Sequence, residues 1–148
     1  MNAAAKAPHP AFEPPGESDS DLYRTIRTGL RAHNGALFHN SAPGQDIAIA
    51  LRDPESGAAL GGLLGRTASG WLAIELLFVP DQLRGLGLAT RMIAMAEDEA
   101  RRRDCHSAWL DTLNPKAAVL YERLGYVRFG ELPDYPVGNS RVFLQKKL

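Results

Sequence analysis

Apolar residues recur at helical spacing in the second half of the chain, at Ala89, Met92, Ile93, Ala96 and Ala100. This spacing predicts an amphipathic helix that turns one face to a core. On the other face, the three acids at 97–99 each stand four residues before one of the arginines at 101–103. Acid-before-base pairs at that spacing stabilise a helix, so the prediction does not depend on the apolar residues alone.

Two further helices are predicted from capping residues. Residues 18–21 are Ser, Asp, Ser and Asp, which favour a helix N-terminus, and we expect that helix to end at Asn34-Gly35. Asn114 followed by Pro115 predicts the start of the last helix, and Gly125 predicts its end.

The remaining apolar runs are short and bounded by turn residues, which is typical of strands. Residues 47–51 and 58–64 flank a turn at 53–57 and predict an antiparallel hairpin, and further strands are predicted at 71–79, 107–111, 126–132 and 141–145. The proline-containing residues 1–17 predict a loose arm or a first strand near 11–13. The order indicates one α/β domain over residues 1–148 with at least one parallel strand pair.

Composition excludes several classes of function. The chain has 148 residues, of which 45% are hydrophobic, and its 17 basic and 17 acidic residues leave no net charge. Such a chain gives no electrostatic support to binding of nucleic acid or membranes. One cysteine, no apolar leader and no apolar stretch that could cross a bilayer favour a cytoplasmic protein. His9, His33 and His39 lack ligand spacing, so we expect no metal.

The most informative segment is Gln-Leu-Arg-Gly-Leu-Gly at residues 82–87, which follows a predicted strand and leads into a helix. A helix N-terminus presents unpaired N–H groups, and glycines leave the backbone open to close approach. Both features suit a bound phosphate or pyrophosphate. A dinucleotide fingerprint would need a third glycine where Thr90 stands, and a triphosphate loop would need Gly-Lys-Ser or Gly-Lys-Thr. A plain turn, in which the glycines only serve packing, stays open.

Three motifs together resemble the GNAT superfamily of acyl-CoA-dependent N-acetyltransferases. Residues 82–87 match its Q/R-x-x-G-x-G/A loop, Asn114-x-x-Ala117-x-x-x-Tyr121 matches its late helix, and residues 124–126 match its L-G-F/Y closure. The resemblance is good over residues 60–148 and extends to residues 1–55 only in the order of elements. Ala89 departs from a third glycine that many members carry.

The resemblance implies the GNAT fold, a mixed sheet of six to seven strands flanked by helices. The sheet would be mostly antiparallel, with one parallel pair formed by the family's fourth and fifth strands. These two strands would splay apart and admit the pantetheine arm of acetyl-CoA, the implied co-substrate.

The resemblance also assigns cofactor contacts. The backbone of Leu77, Phe78 and Val79 would bind the pantetheine arm, since open strand edges pair with amides. The loop and helix start would bind the pyrophosphate, through Leu83, Arg84, Gly85, Leu86, Gly87, Leu88, Ala89 and Thr90, with Gln82 and Arg84 as side-chain candidates. Asn114 would touch the cofactor, cap its helix, or do both, and Arg84 could equally be a surface charge.

Two residues carry the implied chemistry. Tyr121 would be the general acid that protonates the departing thiolate, although its apolar neighbours also fit a core position. Glu75 interrupts an apolar strand and would be the base that deprotonates the amine, with binding of a cationic substrate or solvent exposure as alternatives. A backbone N–H near Phe78 would stabilise the oxyanion. Direct attack in a ternary complex needs no covalent intermediate.

The acceptor side carries weaker signals. Asp111 ends a predicted strand and could bind or orient a cationic amine, and Asp134 and Tyr135 lie in the loop before the last strand. Each is equally typical of an ordinary turn. The expected acceptor is a small-molecule or peptide amine, and a homodimer is expected from the family alone. Alternatives are a non-catalytic acyl-CoA-binding or sensing module and, less favoured, a nucleotide-binding oxidoreductase.

Overall fold

The structure is a computed structural model that describes residues 8–12, 20–38 and 43–148. The chain divides into two compact units, Met1–Asn40 and Ser41–Leu148, so the single domain predicted over residues 1–148 stays a prediction. No helix among the described residues is long and apolar enough to cross a membrane.

The first unit contains one long helix, α1, at Asp21–Leu37. Its N-cap is Ser20, whose Oγ accepts a hydrogen bond from the N–H of Tyr23 at 3.3 Å. The predicted end at Asn34-Gly35 is wrong, because the helix runs on until the Phe38 N–H bonds the Asn34 carbonyl at 2.9 Å. A glycine inside a helix costs only about 1 kcal/mol relative to alanine, which continued backbone bonding can offset.

The predicted first strand is not found in the part of it that is described. Residues 11 and 12 lie outside any strand, and residue 13 falls outside the described residues, as do the predicted caps at 18 and 19. In chain order the parallel pair is therefore formed by the third and fourth strands of the structure rather than by the fourth and fifth.

The second unit is built on a sheet whose six described strands lie in the order β1-β2-β3-β4-β6-β5. The strands are β1 Gln45–Arg52, β2 Ala59–Ala68, β3 Trp71–Phe78, β4 Ser107–Thr112, β5 Val127–Pro133 and β6 Ser140–Lys147. Only β3 and β4 pair in parallel, and all other neighbours are antiparallel. This mixed sheet confirms the predicted fold class.

β3 and β4 separate halfway along their length. They pair from Trp71 with Ser107 to Ile74 with Leu110, whereas β3 continues to Phe78 and β4 to Thr112 without further pairing between them. The end of β3 therefore presents backbone groups on the side that faces away from β2. We call this gap between the two strand ends the notch.

A bulge in β3 begins where the strands separate. Leu64 pairs with Leu76 but Gly65 pairs with Ile74, so Glu75 is an extra residue. A bulge shifts the alternation of side chains. Leu77 therefore packs against the core along with Ile74, while Leu76 is 65% exposed. The regular alternation of a strand would place residues 74, 76 and 78 on one face, and it does not hold beyond the bulge.

Two helices cover one face of this sheet. α2 spans Leu88–Arg102 and α3 spans Pro115–Arg123. The predicted apolar positions of α2 share one core with inward side chains of the strands and with Tyr121 of α3, through Met92, Ile93, Ala96 and Ala100. Because the Tyr126 hydroxyl, just after α3, bonds Glu97 of α2 at 2.9 Å, both helices lie on the same face.

The spacing of charges predicted that Glu97 lies on the polar face of α2, and this prediction is wrong. Glu97 is only 5% exposed, because positions 93, 96, 97 and 100 share the face of the helix that is buried in the core. The buried carboxylate is bonded by Lys146 Nζ of β6, at 2.8 and 3.0 Å, and by the Tyr126 hydroxyl. Of the predicted pairs, Glu97–Arg101 and Glu99–Arg103 form, at 3.7 and 2.7 Å, and Asp98 bonds Arg101 instead.

Candidate active site

A cleft of about 450 Å³ lies where the end of β3, the glycine loop and α3 meet. It is lined by Leu77, Phe78, Val79, Leu83, Arg84, Gly85, Gly87, Leu88, Ala89, Thr90, Asn114, Lys116, Ala117, Leu120 and Tyr121. Two of the three sequence motifs, the glycine loop and the helix motif at 114–121, therefore meet around one space beside the notch, whereas residues 124–126 do not line it. Of the predicted cofactor residues, only Gln82 and Leu86 do not line it, and both are exposed.

The glycine loop reaches α2 through two left-handed residues. A short 3-10 turn at Asp81–Leu83 leads into Gly85 and Gly87, whose φ angles are +78° and +73°. Gly87 is the N-cap of α2, and its carbonyl accepts the bond from the Arg91 N–H at 3.0 Å. The N–H groups at 88–90 precede that bond and have no partner within the helix. Added Cβ atoms at either glycine would meet nothing within 4 Å, so the space in front of the loop is open.

Arg84 folds back onto the segment before it. Its Nε donates to the Val79 carbonyl at 3.3 Å, and its guanidinium lies 2.9 Å from the Asp81 carboxylate. The side chain is 63% exposed, so this ion pair contributes little stability. Arg84 thus ties the loop to the end of β3 and also lines the cleft, and both interpretations of its charge stay open.

Asn114 caps α3, as its place before Pro115 predicts. Its Oδ1 accepts a bond from the Lys116 N–H at 3.0 Å, and its own N–H donates to Thr112 Oγ1 at 3.0 Å. Asn114 also lines the cleft, so its two predicted roles are compatible. Lys116 adds a cation to the same wall, which the sequence motifs did not single out although it stands two residues from Asn114.

Tyr121 is both a core residue and a wall of the cleft. It is 7% exposed, and its ring meets the Tyr126 ring edge-on with centroids 6.2 Å apart. Among the described residues its hydroxyl makes no hydrogen bond. Burial, and to a smaller extent the charge of Asp111, raise the pKa of this phenol above its usual value. Tyr121 therefore holds its proton at neutral pH, as a general acid must.

Glu75 lies apart from the cleft wall. It is the extra residue of the β3 bulge, it is exposed, and it does not line the cleft. Its position is next to Ile74, the last residue of β3 paired with β4, at the start of the notch. Among the described residues it makes no ion pair, so its carboxylate is open to solvent or to a substrate.

Asp111 is already bonded to a cation that sequence reasoning missed. Arg141 of β6 donates from Nε to Asp111 Oδ2 at 2.6 Å and from Nη1 to the Tyr135 hydroxyl at 3.4 Å. The side-chain hydrogen bond to Asp111 raises the pKa of Arg141. Asp134 accepts a bond from the Gly138 N–H at 3.2 Å and shapes the loop. Among the predicted acceptor-side residues, Asp111 and Tyr135 are thus brought together by Arg141.

Comparison with known proteins extends the similarity over most of the chain. Residues 9–126 match the model of the acetyltransferase (GNAT) family. Acetyltransferase Atu2258 of Agrobacterium fabrum is 42% identical over 130 residues, which cover 88% of this chain and 93% of that protein. Blasticidin-S acetyltransferase of Streptomyces morookaense is 39% identical over 95 residues, or 64% of this chain and 70% of that one. A crystal structure from Agrobacterium tumefaciens matches with a TM-score of 0.85 at 40% identity, covering 93% of this chain and 99% of that one.

Proposed function

The chain belongs to the GNAT family of acetyltransferases, and we propose that it moves the acetyl group of acetyl-CoA to a primary amine by direct attack in a ternary complex. The observation that carries this proposal is the cleft, which unites the end of β3, the glycine loop and Tyr121 around about 450 Å³. The donor is acetyl-CoA, and the two ends of the cleft suit its two chemically different parts.

The loop end of the cleft suits the pyrophosphate. The unpaired N–H groups at 88–90 and the positive end of the α2 dipole both favour an anion there. Lys116 lines the same cleft and adds a positive charge, and the guanidinium of Arg84, paired with Asp81, lines it as well. The pantetheine amides would extend along residues 77–79, at and just beyond the end of β3, where β4 no longer supplies partners.

The chemistry needs a base, an oxyanion donor and an acid. Glu75 takes a proton from the ammonium form of the amine, directly or through water, so that the nitrogen lone pair can attack the thioester carbonyl. A backbone N–H of β3 near Phe78 stabilises the oxyanion. As the oxyanion collapses, the C–N bond is kept and the C–S bond breaks. The sulfur takes its proton from the Tyr121 phenol, and the nitrogen gives up its remaining extra proton, which returns through solvent to the phenolate and restores Tyr121.

The first test is calorimetric binding of acetyl-CoA to the wild type and to Gly85→Glu. A carboxylate at residue 85 would stand in the open space before the loop and repel the pyrophosphate. Gly57→Glu is the matched control, because Gly57 also has a positive φ, +72°, with nothing within 4 Å, but lies in the turn between β1 and β2. We expect Gly85→Glu to weaken binding at least about tenfold, or 1.4 kcal/mol, and Gly57→Glu to bind like the wild type.

Two outcomes would contradict the proposal. Absence of acetyl-CoA binding by the wild type excludes the donor, and equal effects of the two variants exclude the loop as the anion site. A thiol-release assay with a panel of primary amines then separates an enzyme from a module that binds acyl-CoA without transferring it. Turnover with any amine supports the enzyme, and binding without turnover supports the module.

A further inference from the structure

A cluster of polar and aromatic side chains surrounds Arg141 near the notch. Besides its bonds to Asp111 and the Tyr135 hydroxyl, the guanidinium carbon lies 5.3 Å from the Tyr135 ring centroid and 5.7 Å from that of Phe143. The side chains of Arg141 and Asp111 are 34% and 22% exposed. We call these four residues, Asp111, Tyr135, Arg141 and Phe143, the Arg141 cluster.

The cluster lies on the sheet face opposite to α2 and α3. Val142 and Leu144 of β6 and Leu110 of β4 belong to the core beneath the helices. Side chains alternate along a strand, so Arg141 and Phe143 point to the other face, as does Asp111, which is the register partner of Phe143. Tyr121, by contrast, belongs to the helix-covered face.

The cluster is nonetheless close to the reacting groups. Asp111 directly follows Leu110, the last residue of β4 that pairs with β3, so it stands at the mouth of the notch. Besides burial, the charge of Asp111 raises the pKa of the Tyr121 phenol, which lies on the other face of the sheet. An acceptor that enters the notch from the face opposite the helices therefore passes the Arg141 cluster on its way to the thioester.

Arg141 is fixed in place but not saturated. Asp111 takes Nε, and the bond from Nη1 to Tyr135 is long, at 3.4 Å. Among the described residues, Nη2 makes no hydrogen bond. The rings pack against the guanidinium, and its donors lie in its plane, so its open edge suits a planar anion that accepts two parallel bonds. A cationic group of the acceptor would have to compete with Arg141 for the Asp111 carboxylate.

We propose that Arg141, oriented by Asp111, binds a carboxylate of the acceptor, so that the acceptors are amines that also carry a carboxylate, as amino acids do. This inference rests on the proposed acetyl transfer to an amine and specifies the chemical class of its substrate. Asp111 then acts as a positioning residue rather than as the partner of the amine. Polyamines and other purely cationic amines are poor acceptors.

The test uses probes that occupy both halves of the site and require no knowledge of the natural acceptor. In each, the sulfur of CoA is joined through –CH2–CO– to the nitrogen of glycine, β-alanine or 4-aminobutyrate, and each acid has a matched probe ending in the primary amide. We expect at least one acid to bind the wild type about tenfold more tightly than its amide by calorimetry, since a hydrogen bond between two charged groups is stronger than one to a neutral amide.

Variants assign that preference to Arg141. Arg141→Gln is expected to bind acid and amide equally, with an unchanged Kd for acetyl-CoA, and Arg141→Lys to keep part of the preference because it keeps the charge but loses the planar fork. Arg128→Gln is the control, since Arg128 is an exposed arginine of β5 paired with Glu122. It should keep the full preference.

The outcomes separate this inference from the function on which it rests. Equal binding of acid and amide at all three lengths, tighter binding of the amides, or a preference that survives in Arg141→Gln overturns the carboxylate site and leaves acetyl transfer intact. Absence of binding by acetyl-CoA itself overturns the proposed function and, with it, this inference. Turnover of amino acids but not of their amides would support both.

Discussion

Two buried phenols touch each other beside the cleft, but they have different surroundings. The hydroxyl of Tyr126 donates to Glu97 at 2.9 Å, whereas the hydroxyl of Tyr121 makes no hydrogen bond among the described residues. Removing the first leaves a buried carboxylate with one bond fewer. Removing the second leaves the folded structure with every bond it had. Loss of stability and loss of catalysis can therefore be separated at two neighbouring side chains.

Tyr121→Phe is expected to lower kcat by roughly 10²–10³-fold, because general acid catalysis typically contributes 10²–10⁴-fold. The KM for acetyl-CoA and the urea unfolding free energy should change little, since the ring remains and no bond is lost. Thiol release and urea titration measure the two effects separately. If kcat stayed within about threefold of the wild type, far less than general acid catalysis contributes, Tyr121 would be only a core residue.

At the scale of elements, one ion pair joins α2 to β6. The Glu97 and Lys146 side chains are 6% and 22% exposed, and Lys146 Nζ lies 2.8 Å from the carboxylate. Arg101 also approaches the same carboxylate, at 3.7 Å, from the next turn of the helix. Both partners contact Tyr126, which follows α3: its hydroxyl bonds the Glu97 carboxylate, and Lys146 Nζ lies 5.5 Å from the centroid of its ring. The pair therefore connects the end of α3 to both elements.

Lys146→Met is expected to reduce the unfolding free energy by about 3 kcal/mol, because removing one partner leaves a buried charge without its main counter-ion. Glu97→Leu combined with Lys146→Met should cost much less than the two single changes together, because it leaves no buried charge. Arg128→Met, which breaks an exposed pair, should cost less than about 1 kcal/mol. Urea titration of all four variants gives the coupling, and additive single costs would mean that the pair does not interact.

The elements that position the site were predictable, but the long-range pairs were not. Local signals mark the glycine loop, the Asn114 cap and the strands, since turn chemistry and apolar spacing act within a few residues. The bulge at Glu75 was hidden because residues 76–79 are all apolar, so either alternation would bury a hydrophobic side chain. Arg141 meets Asp111 thirty positions away, and Glu97 meets Lys146 forty-nine positions away. Only the strand order brings such residues together.

At the scale of the whole second unit, the notch lies between the two faces of the described sheet, where β3 and β4 no longer pair. The cleft lies with α3 on one face, and the Arg141 cluster lies on the other. Acetyl donor and acceptor would thus approach from opposite faces and meet where β3 and β4 separate. This arrangement supports the proposed ternary complex, because neither substrate would need to leave before the other enters.

Raised pKa values make the folded chain sensitive to alkali. Burial, together with the charge of Glu97, holds the pKa of Tyr126 far above its usual range. Burial also raises the pKa values of Tyr121 and Cys105. In the unfolded chain these groups ionise at their ordinary values. Between the two sets of values the unfolded state binds fewer protons than the folded state, so stability is lost as pH rises.

We therefore expect the unfolding free energy to fall between about pH 9 and pH 11, by up to about 1.4 kcal/mol per pH unit for each such group. Urea titrations across this range measure the slope. Tyr126→Phe should start less stable at neutral pH but lose stability less steeply with alkali, because one group that must ionise on unfolding has been removed. Tyr135→Phe is the control, since Tyr135 is 47% exposed, and its slope should match the wild type. A slope unchanged in Tyr126→Phe would mean that this phenol ionises as readily in the folded chain as in the unfolded one, contrary to its burial against Glu97.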